Sequence, residues 1–157
     1  SSTSGRVFRR AAAWPTSYTV FARVSIASAA NTGFFGNNTA SPTTDRQAFH
    51  YSTTNGFTLI NKGTAITRAY TMPTNTKVDV VLTYDSATQI AKFYANGTQV
   101  GADMTGVSTP ATSGWFYLGA NSGGSSPQQQ LIGEMGFLGI VNRALTAGEV
   151  AEITAEV

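Results

Sequence analysis

The chain has no cysteine and one histidine among its 157 residues. Disulfides, a catalytic thiolate and cysteine-ligated metals are therefore excluded. The single histidine, His50, excludes a metal site built from several histidines. No apolar stretch approaches the roughly 20 residues that cross a bilayer as a helix, so we expect no membrane partner.

Charge is also scarce, since Asp, Glu, Lys and Arg make up 11% of the chain, against about 25% in an average domain. The formal net charge is +2, and the basic residues are scattered apart from Arg6, Arg9 and Arg10. A nucleic-acid-binding protein usually concentrates its basic residues in one stripe with stacking aromatic side chains. We therefore predict no nucleic-acid partner.

The few carboxylates are too dispersed for hydrolysis on one strand. The only glutamate before the C-terminal segment is Glu134, and no aspartate has another carboxylate two positions away. Glycosidases hold two carboxylates about 5–9 Å apart around the scissile bond. The chain also lacks the G-x-S-x-G, phosphate-loop and dinucleotide-binding motifs. We predict no catalytic residue and no enzyme, while a carboxylate pair contributed by two different strands is left open.

Alternating apolar and polar residues, separated by turn formers, predict an all-β protein. We predict these strands: Gly5–Arg10, Tyr18–Ile26, Thr32–Gly36, Gln47–Tyr51, Phe57–Ile60, Ala65–Tyr70, Lys77–Asp85, Gln89–Ala95, Thr98–Gly101 and Trp115–Leu118. Asn96-Gly97 suits a two-residue hairpin turn, and residues 121–130 predict a polar loop without an apolar anchor. Short strands with frequent turns favour a two-sheet antiparallel β-sandwich, in one domain over residues 1–157.

The segment Gly133–Val141 predicts one more strand. Strict alternation places Met135, Phe137 and Val141 on one face and Leu138 and Ile140 on the other. Since both faces are apolar, both are expected to be covered by other parts of the chain.

A short helix is predicted directly after this strand. Thr146 is placed to be its N-cap, and Glu149 follows three positions later, which completes a capping box. Leu145 and Val150 can close the hydrophobic staple across the cap. We therefore expect a short C-terminal α-helix.

Two segments resemble those of laminin-G-like, concanavalin A-like jelly-roll domains. The stretch NRALTAGEV, residues 142–150, is similar to the family's ending N-R-A-L-S-x-x-E-I. Val78–Asp85 followed by Phe93–Gly97 is similar to its V-A-x-T-Y-D and L-Y-V-N-G hairpin. The resemblance implies a concanavalin A-like jelly roll over about residues 6–153.

Many laminin-G-like domains hold calcium at their loop rim, and this resemblance singles out Asp45, Asp103 and carbonyls around Asn37 and Asn121. Where family members often carry an Asp-Glu pair, this chain has Glu134 followed by Met135. Calcium requires six to eight oxygens, several of them from carboxylates. We predict no metal and no cofactor, with calcium as the alternative.

Sugar recognition by such sandwiches combines an aromatic platform with amide and carboxylate groups. The platform candidates are Trp14, Tyr51, Trp115 and Tyr117, and burial in the core is the alternative for each. For His50 we favour a satisfied histidine on a sheet face over a catalytic base. The predicted ligand-binding residues are Trp115, Tyr117, Asn37, Asp45, Arg46, Asn121 and Gln128.

The first functional hypothesis is a non-catalytic, lectin-like recognition module that presents loops to a glycan or cell-surface polysaccharide. The second is a structural or decoration subunit, as in compact laminin-G-like proteins of bacteriophage particles, which would contact virion proteins and bind no sugar. Either role implies an extracellular location or a virion surface. Both are compatible with a homo-oligomer.

Overall fold

The computed structural model of the chain describes residues 8–11, 15–38, 47–62, 64–109, 115–120, 122–123, 127–128 and 130–156. They form these strands: β1 (Phe8–Ala11), β2 (Tyr18–Ile26), β3 (Thr32–Asn38), β4 (Gln47–Ser52), β5 (Gly56–Asn61), β6 (Thr64–Arg68), β7 (Val78–Asp85), β8 (Ile90–Ala95), β9 (Thr98–Gln99), β10 (Trp115–Leu118), β11 (Ser122–Gly123), β12 (Pro127–Gln128) and β13 (Gly133–Val141). One helix, α1, is Ala147–Ala155. Among these residues no helix has the length and apolar character to span a membrane.

The strands build two antiparallel sheets that face each other. The order is β1-β10-β3-β4-β5-β6 in the six-stranded sheet and β13-β2-β7-β8-β9 in the five-stranded sheet, and β11 and β12 form a separate hairpin. The strands Tyr18–Ile26 and Trp115–Leu118 have their predicted bounds. The predicted two-sheet antiparallel sandwich with a short C-terminal helix is therefore confirmed.

Aromatic side chains fill the space between the sheets. Phe49 of β4 stacks on Phe93 of β8 with ring centroids 4.9 Å apart, so this contact joins the two sheets directly. Phe57 packs edge-on to Phe49 at 5.6 Å. The five-stranded sheet contributes alternate apolar residues to the same core: Val20, Ala22, Val24, Ile26, Val78, Val80 and Leu82. This alternation is the period-2 pattern that the sequence predicts for β2 and β7.

Helix α1 lies on the outer face of the five-stranded sheet. Val150 and Leu145 are buried against Val81 of β7 and Tyr94 of β8. Thr146 is the N-cap, and its side chain and that of Glu149 complete the capping box. The predicted start of the helix is thus confirmed, and the helix gives the second face of β7 an apolar cover.

Strand β13 departs from the predicted alternation at Gly136. The register passes from Met135 opposite Val24 to Phe137 opposite Arg23, so Gly136 is an extra residue on β13. Such a β-bulge moves the residues that follow to the other face of the sheet. Met135 packs against the core, while Phe137 faces outward with Arg23. The prediction that Met135 and Phe137 share a face was wrong because it assumed an unbroken two-residue period.

Two predicted connections have different outcomes. Asn96 and Gly97 have φ angles of 47° and 77°, as the predicted hairpin turn requires. Within the predicted polar loop, Ser122 and Gly123 pair with Gln128 and Pro127, so these four residues are strand residues.

The side chain of Thr19 in β2 forms hydrogen bonds with the segment that connects β13 to α1. Its side chain is fully buried. The Oγ1 hydroxyl donates to the carbonyl oxygen of Arg143 at 2.9 Å and accepts from the N–H of Leu145 at 2.9 Å. One hydroxyl therefore satisfies two backbone groups that carry the chain into the helix.

Replacing Thr19 with Val keeps the shape of the side chain and removes both hydrogen bonds. We expect Thr19→Val to lower the free energy of unfolding by about 2–4 kcal/mol, because a buried carbonyl and a buried N–H lose their partner. Urea denaturation measures this difference. Thr19→Ser keeps the hydroxyl and should retain most of the stability, so equal stabilities of the two variants would contradict the proposed role of the hydroxyl.

The helix cap predicts a dependence of stability on pH. The hydrogen bond from the Arg143 guanidinium, followed by that from the Thr146 N–H, lowers the pKa of Glu149 from 4.5 to about 2. Because the folded-state pKa is depressed, this stabilisation is complete above about pH 4.5 and is lost as the pH falls towards about 2.

We therefore expect Glu149→Gln to destabilise the protein at about pH 6 and to differ less and less from the wild type as the pH approaches 2. Denaturant unfolding at a series of pH values measures this convergence. Glu152→Gln removes the same charge from α1 outside the capping box and serves as the control. If the stability difference between Glu149→Gln and the wild type stayed constant down to pH 2, the stabilising role of the ionised Glu149 carboxylate in the capping box would be contradicted.

Candidate functional site

Part of the predicted loop site lies at one end of the six-stranded sheet. Trp115 begins β10 opposite Asn38, and Asn37 lies opposite Gln47 at the start of β4. The register therefore brings the end of β3 and the beginnings of β4 and β10 to the same edge of the sandwich. Of Trp115 and Asn37 only the backbones are described.

The structure says less about the positions of the other predicted site residues. Gln128 lies in β12, opposite Ser122, and is thus part of a hairpin ladder. Asp45, Arg46 and Asn121 lie outside the described residues, as does Trp14. In the sequence, Arg46 directly precedes Gln47, the first residue of β4. Their part in a ligand site stays a prediction.

Two predicted aromatic platforms are buried instead. Tyr117 is 2% exposed and Tyr51 is 4% exposed. Tyr51 belongs to the core between the sheets, where its hydroxyl accepts a hydrogen bond from the N–H of Met72 at 3.4 Å. Tyr117 lies on β10, which is enclosed between β1 and β3. Neither ring offers a face to a ligand. Burial, the alternative given for each aromatic candidate, therefore holds for Tyr51 and Tyr117, and the prediction of Tyr117 as a ligand-binding residue was wrong.

His50 points away from the core, as predicted, and is nevertheless buried. Phe49 and Tyr51 are core residues, whereas His50 lies on the opposite face of β4 in register with Gly33 and Thr58. Its side chain is 5% exposed. Burial at this depth supports a structural histidine on the sheet face over a base that meets a substrate from solvent.

The carboxylates of two aspartates, Asp85 and Asp103, accept hydrogen bonds from other groups of the chain. Asp85 accepts from the N–H of Ala87 at 3.0 Å, and Asp103 accepts from the Gln99 amide at 2.9 Å. Each of these hydrogen bonds is the main cause of a lowered pKa of the aspartate that accepts it. The general acid of a glycosidase needs a raised pKa, so these two groups are tuned in the opposite direction.

Asp103, one of the calcium candidates, is part of an ion pair. Its Oδ2 lies 3.2 Å from the Lys92 ammonium. A cation bound here would have to displace that ammonium. In the described part of the chain, no three His, Asp or Glu side chains are grouped so that they could hold a metal. Calcium at Asp45 and Asn121 concerns residues outside that part.

A different surface lies on the outer face of the five-stranded sheet, beside α1. It consists of outward-facing residues from β13, β2 and the chain at the start of β7. Arranged in two rows across the sheet, they are Phe137, Arg23 and Asp79 in the first row and Glu134, Ser25 and Lys77 in the second. We call these six residues the helix-side platform.

An ion pair and an aromatic pair form the first row. Arg23 Nε and Nη2 donate to Asp79 Oδ1 and Oδ2, both at 2.7 Å, and the pKa of Arg23 is raised mainly by hydrogen bonding to Asp79. Phe137 is 46% exposed. Its ring packs against Phe21, with centroids 5.2 Å apart. The expectation that both faces of β13 are covered is therefore only partly met.

The second row borders a shallow depression with a cavity volume of about 50 Å³, lined by Arg23, Val24, Ser25, Lys77, Glu134 and Gly136. The bulge at Gly136 forms one wall, so the irregularity in β13 shapes the depression. Cationic and anionic side chains face the same opening. This arrangement offers hydrogen-bond donors and acceptors next to an exposed aromatic ring.

The sequence analysis missed this surface because its residues are far apart in the chain. Arg23 and Asp79 become neighbours only through the pairing of β2 with β7. The one local signal is the pair of glycines at 136 and 139 on either side of Phe137, since glycine inside a strand often marks a bulge or a close approach.

The profile of the concanavalin A-like lectin/glucanases superfamily matches residues 3–151. The chain belongs to this superfamily. The resemblance seen in the NRALTAGEV ending and in the β7–β8 hairpin is therefore confirmed at the level of family and fold. The comparison with curated protein sequences gave no match.

Solved structures share the fold at low sequence identity. The native heptameric SAP-like pentraxin of Limulus polyphemus is 17% identical, with a TM-score of 0.77 over 98% of this chain and 77% of its own. The CBM40 of the Ruminococcus gnavus IT-sialidase, bound to α2,3-sialyllactose, is 14% identical, with a TM-score of 0.74 over 89% of this chain and 83% of its own. Trypanosoma rangeli sialidase is 18% identical, with a TM-score of 0.68 over 96% of this chain but 27% of its own. At such identities the likeness establishes the fold alone.

The exposure of Phe137 predicts a small effect on stability. We expect Phe137→Ala to lower the free energy of unfolding by about 1 kcal/mol, because nearly half of the side chain is already in water. Phe49→Ala, in the core between the sheets, should cost about 3–5 kcal/mol. Urea denaturation of both variants makes the comparison. A loss at position 137 as large as that at position 49 would contradict the surface location.

Proposed function

We propose that this domain is a non-catalytic glycan-binding module. The observation that carries the proposal is the near full-length likeness of the fold to a carbohydrate-binding module that holds a sialylated sugar. The chain has the elements that such recognition needs, which are a rigid sandwich and loops at the end of a sheet. A glycan outside the cell or on a surface is the ligand that the proposal implies.

The proposed lack of catalysis rests on the state of the carboxylates. Asp79 is held by Arg23, Asp85 by its own turn and Asp103 by Lys92 and Gln99. A retaining or inverting glycosidase needs two carboxylates that face one sugar and differ in pKa. Asp85 and Asp103, whose pKa values are lowered, are poor general acids at neutral pH.

The proposed site lies at the sheet end that carries Trp115 and Asn37. The register of β3, β4 and β10 supports this location because it gathers two of the predicted residues, and the chain leading to Gln47, at one edge. Asp45 and Arg46 precede that residue in the chain. The residue types predicted for this site, which supply an aromatic ring and amide, carboxylate and guanidinium groups, match the chemistry of a sugar ring.

The proposal predicts saccharide binding that depends on Trp115. In a glycan array followed by calorimetric titration, we expect specific binding by the wild type and a loss of about tenfold or more in Trp115→Ala, which corresponds to about 1.4 kcal/mol. Trp115→Phe keeps an aromatic ring and should retain part of the affinity. The same polysaccharides should show no new reducing ends after incubation, and turnover would contradict the non-catalytic assignment.

A structural role in a virion or another assembly is the second candidate, favoured by the edge strand β13. In the part of the chain described, this strand pairs only with β2, and Ile132 and Ile140 beside its edge are 49% and 40% exposed. An apolar strand edge is suited to contact with another protein chain. Sedimentation that shows a stable oligomer, together with an empty glycan array, would favour this role over glycan binding.

A further inference from the structure

We propose that the helix-side platform is a second saccharide site, which binds one ring of a neutral sugar. This inference rests on the proposed glycan-binding function. It adds a second binding surface, which shares no residue with the proposed site at Trp115 and Asn37. Trp115 and Asn37 belong to the six-stranded sheet, whereas the platform belongs to the five-stranded sheet. The two surfaces can therefore be tested one at a time.

Phe137 supplies the apolar part of the site. Its ring is 46% exposed and is supported from the side by Phe21 at 5.2 Å. Gly139 makes this support possible, because a Cβ at that position would lie 2.1 Å from the Phe21 ring. A flat aromatic face held in place by a second ring is the surface on which the C–H groups of a sugar stack.

The depression next to Phe137 supplies the polar part. Its cavity volume is about 50 Å³, far below the roughly 300–1,000 Å³ of pockets that enclose drug-sized ligands. It therefore admits one hydroxyl-bearing edge of a sugar and leaves the rest of the ligand in solvent. Glu134 and Lys77 line it from opposite strands of the sheet, so their head groups can meet hydroxyls on the same ring.

The charges of the platform argue for a neutral ligand. Arg23 and Asp79 neutralise each other through two hydrogen bonds. Glu134 and Lys77 add one negative and one positive charge, which leaves no net charge to attract an anion or a cation. A carboxylate accepts hydrogen bonds and an ammonium donates them, and a sugar hydroxyl does both.

Hydrogen bonds hold two residues of the first row, Arg23 and Asp79, in place. Arg23 is fixed by the bidentate contact to Asp79, and the backbone of Asp79 is tied to the turn after β8, since its N–H donates to Asn96 Oδ1 at 2.9 Å. Side chains already ordered before binding lose little entropy when a ligand arrives. The first row of the platform is thus ordered before a ligand arrives.

The test is a titration of the ¹⁵N-labelled wild type with neutral methyl glycosides of glucose, galactose and mannose, followed by NMR. We expect the amide signals of Gly136 and Gly139 to shift with at least one glycoside. Phe137→Ala should weaken that binding by about tenfold or more, and Glu134→Gln should weaken it severalfold. Ile140→Ala is the matched control, because it removes an exposed apolar side chain on the opposite face of the same strand.

The outcomes separate the two proposals. Binding that persists in Phe137→Ala but is lost in Trp115→Ala would overturn the platform site and leave the proposed function standing. Wild-type protein that binds no saccharide in the array or the titration would overturn both. A change in oligomeric state in Phe137→Ala, with saccharide affinity unchanged, would assign the platform to a protein contact and would also overturn this inference.

Discussion

The contact between the two sheets is the constraint on which the rest of this structure depends. Each sheet has an apolar inner face, and neither can remain in water with Phe49 or Phe93 exposed. Their stacked rings, 4.9 Å apart, together with the surrounding phenylalanines, bury the surface that makes folding favourable. A polar contact crosses the same interface, because the Tyr18 hydroxyl donates to the Gln47 amide oxygen. Burial raises the pKa of Tyr18 well above its ordinary value, with a further contribution from Tyr84, so this donor keeps its proton.

Helix α1 divides the outer face of the five-stranded sheet into two regions. Under the helix, Val81 and Tyr94 are buried, and Thr19 bonds to the segment that leads into it. Beyond the helix the same face is open and carries the helix-side platform. The division follows from the length of α1, since nine residues extend about 13–14 Å at 1.5 Å per residue. A helix this short covers part of the sheet and leaves Phe137 at its border.

The two candidate surfaces use different means to hold side chains in position. At the sheet end that carries Trp115, the register of β3, β4 and β10 brings Trp115, Asn37 and Gln47 to one edge. On the helix-side platform, the strands themselves carry the functional groups, and an ion pair and an aromatic pair fix them. Positions on regular elements are more precisely defined than positions on loops, whereas loops can change in sequence without harm to the core.

The sequence by itself determined the elements and their local signals. Alternation in β2 and β7, the Asn96-Gly97 turn and the capping box of Thr146 and Glu149 depend on neighbouring residues only, and all are present as predicted. The tertiary structure decided which faces are exposed. Tyr117 of β10 is 2% exposed, and Phe137 is exposed because one extra residue, Gly136, reverses the alternation. The pairing of Arg23 with Asp79 depends on the register of β2 and β7. Exposure and pairing arise between segments that are distant in the chain, which is the physical reason why periodicity could predict the fold but not the platform.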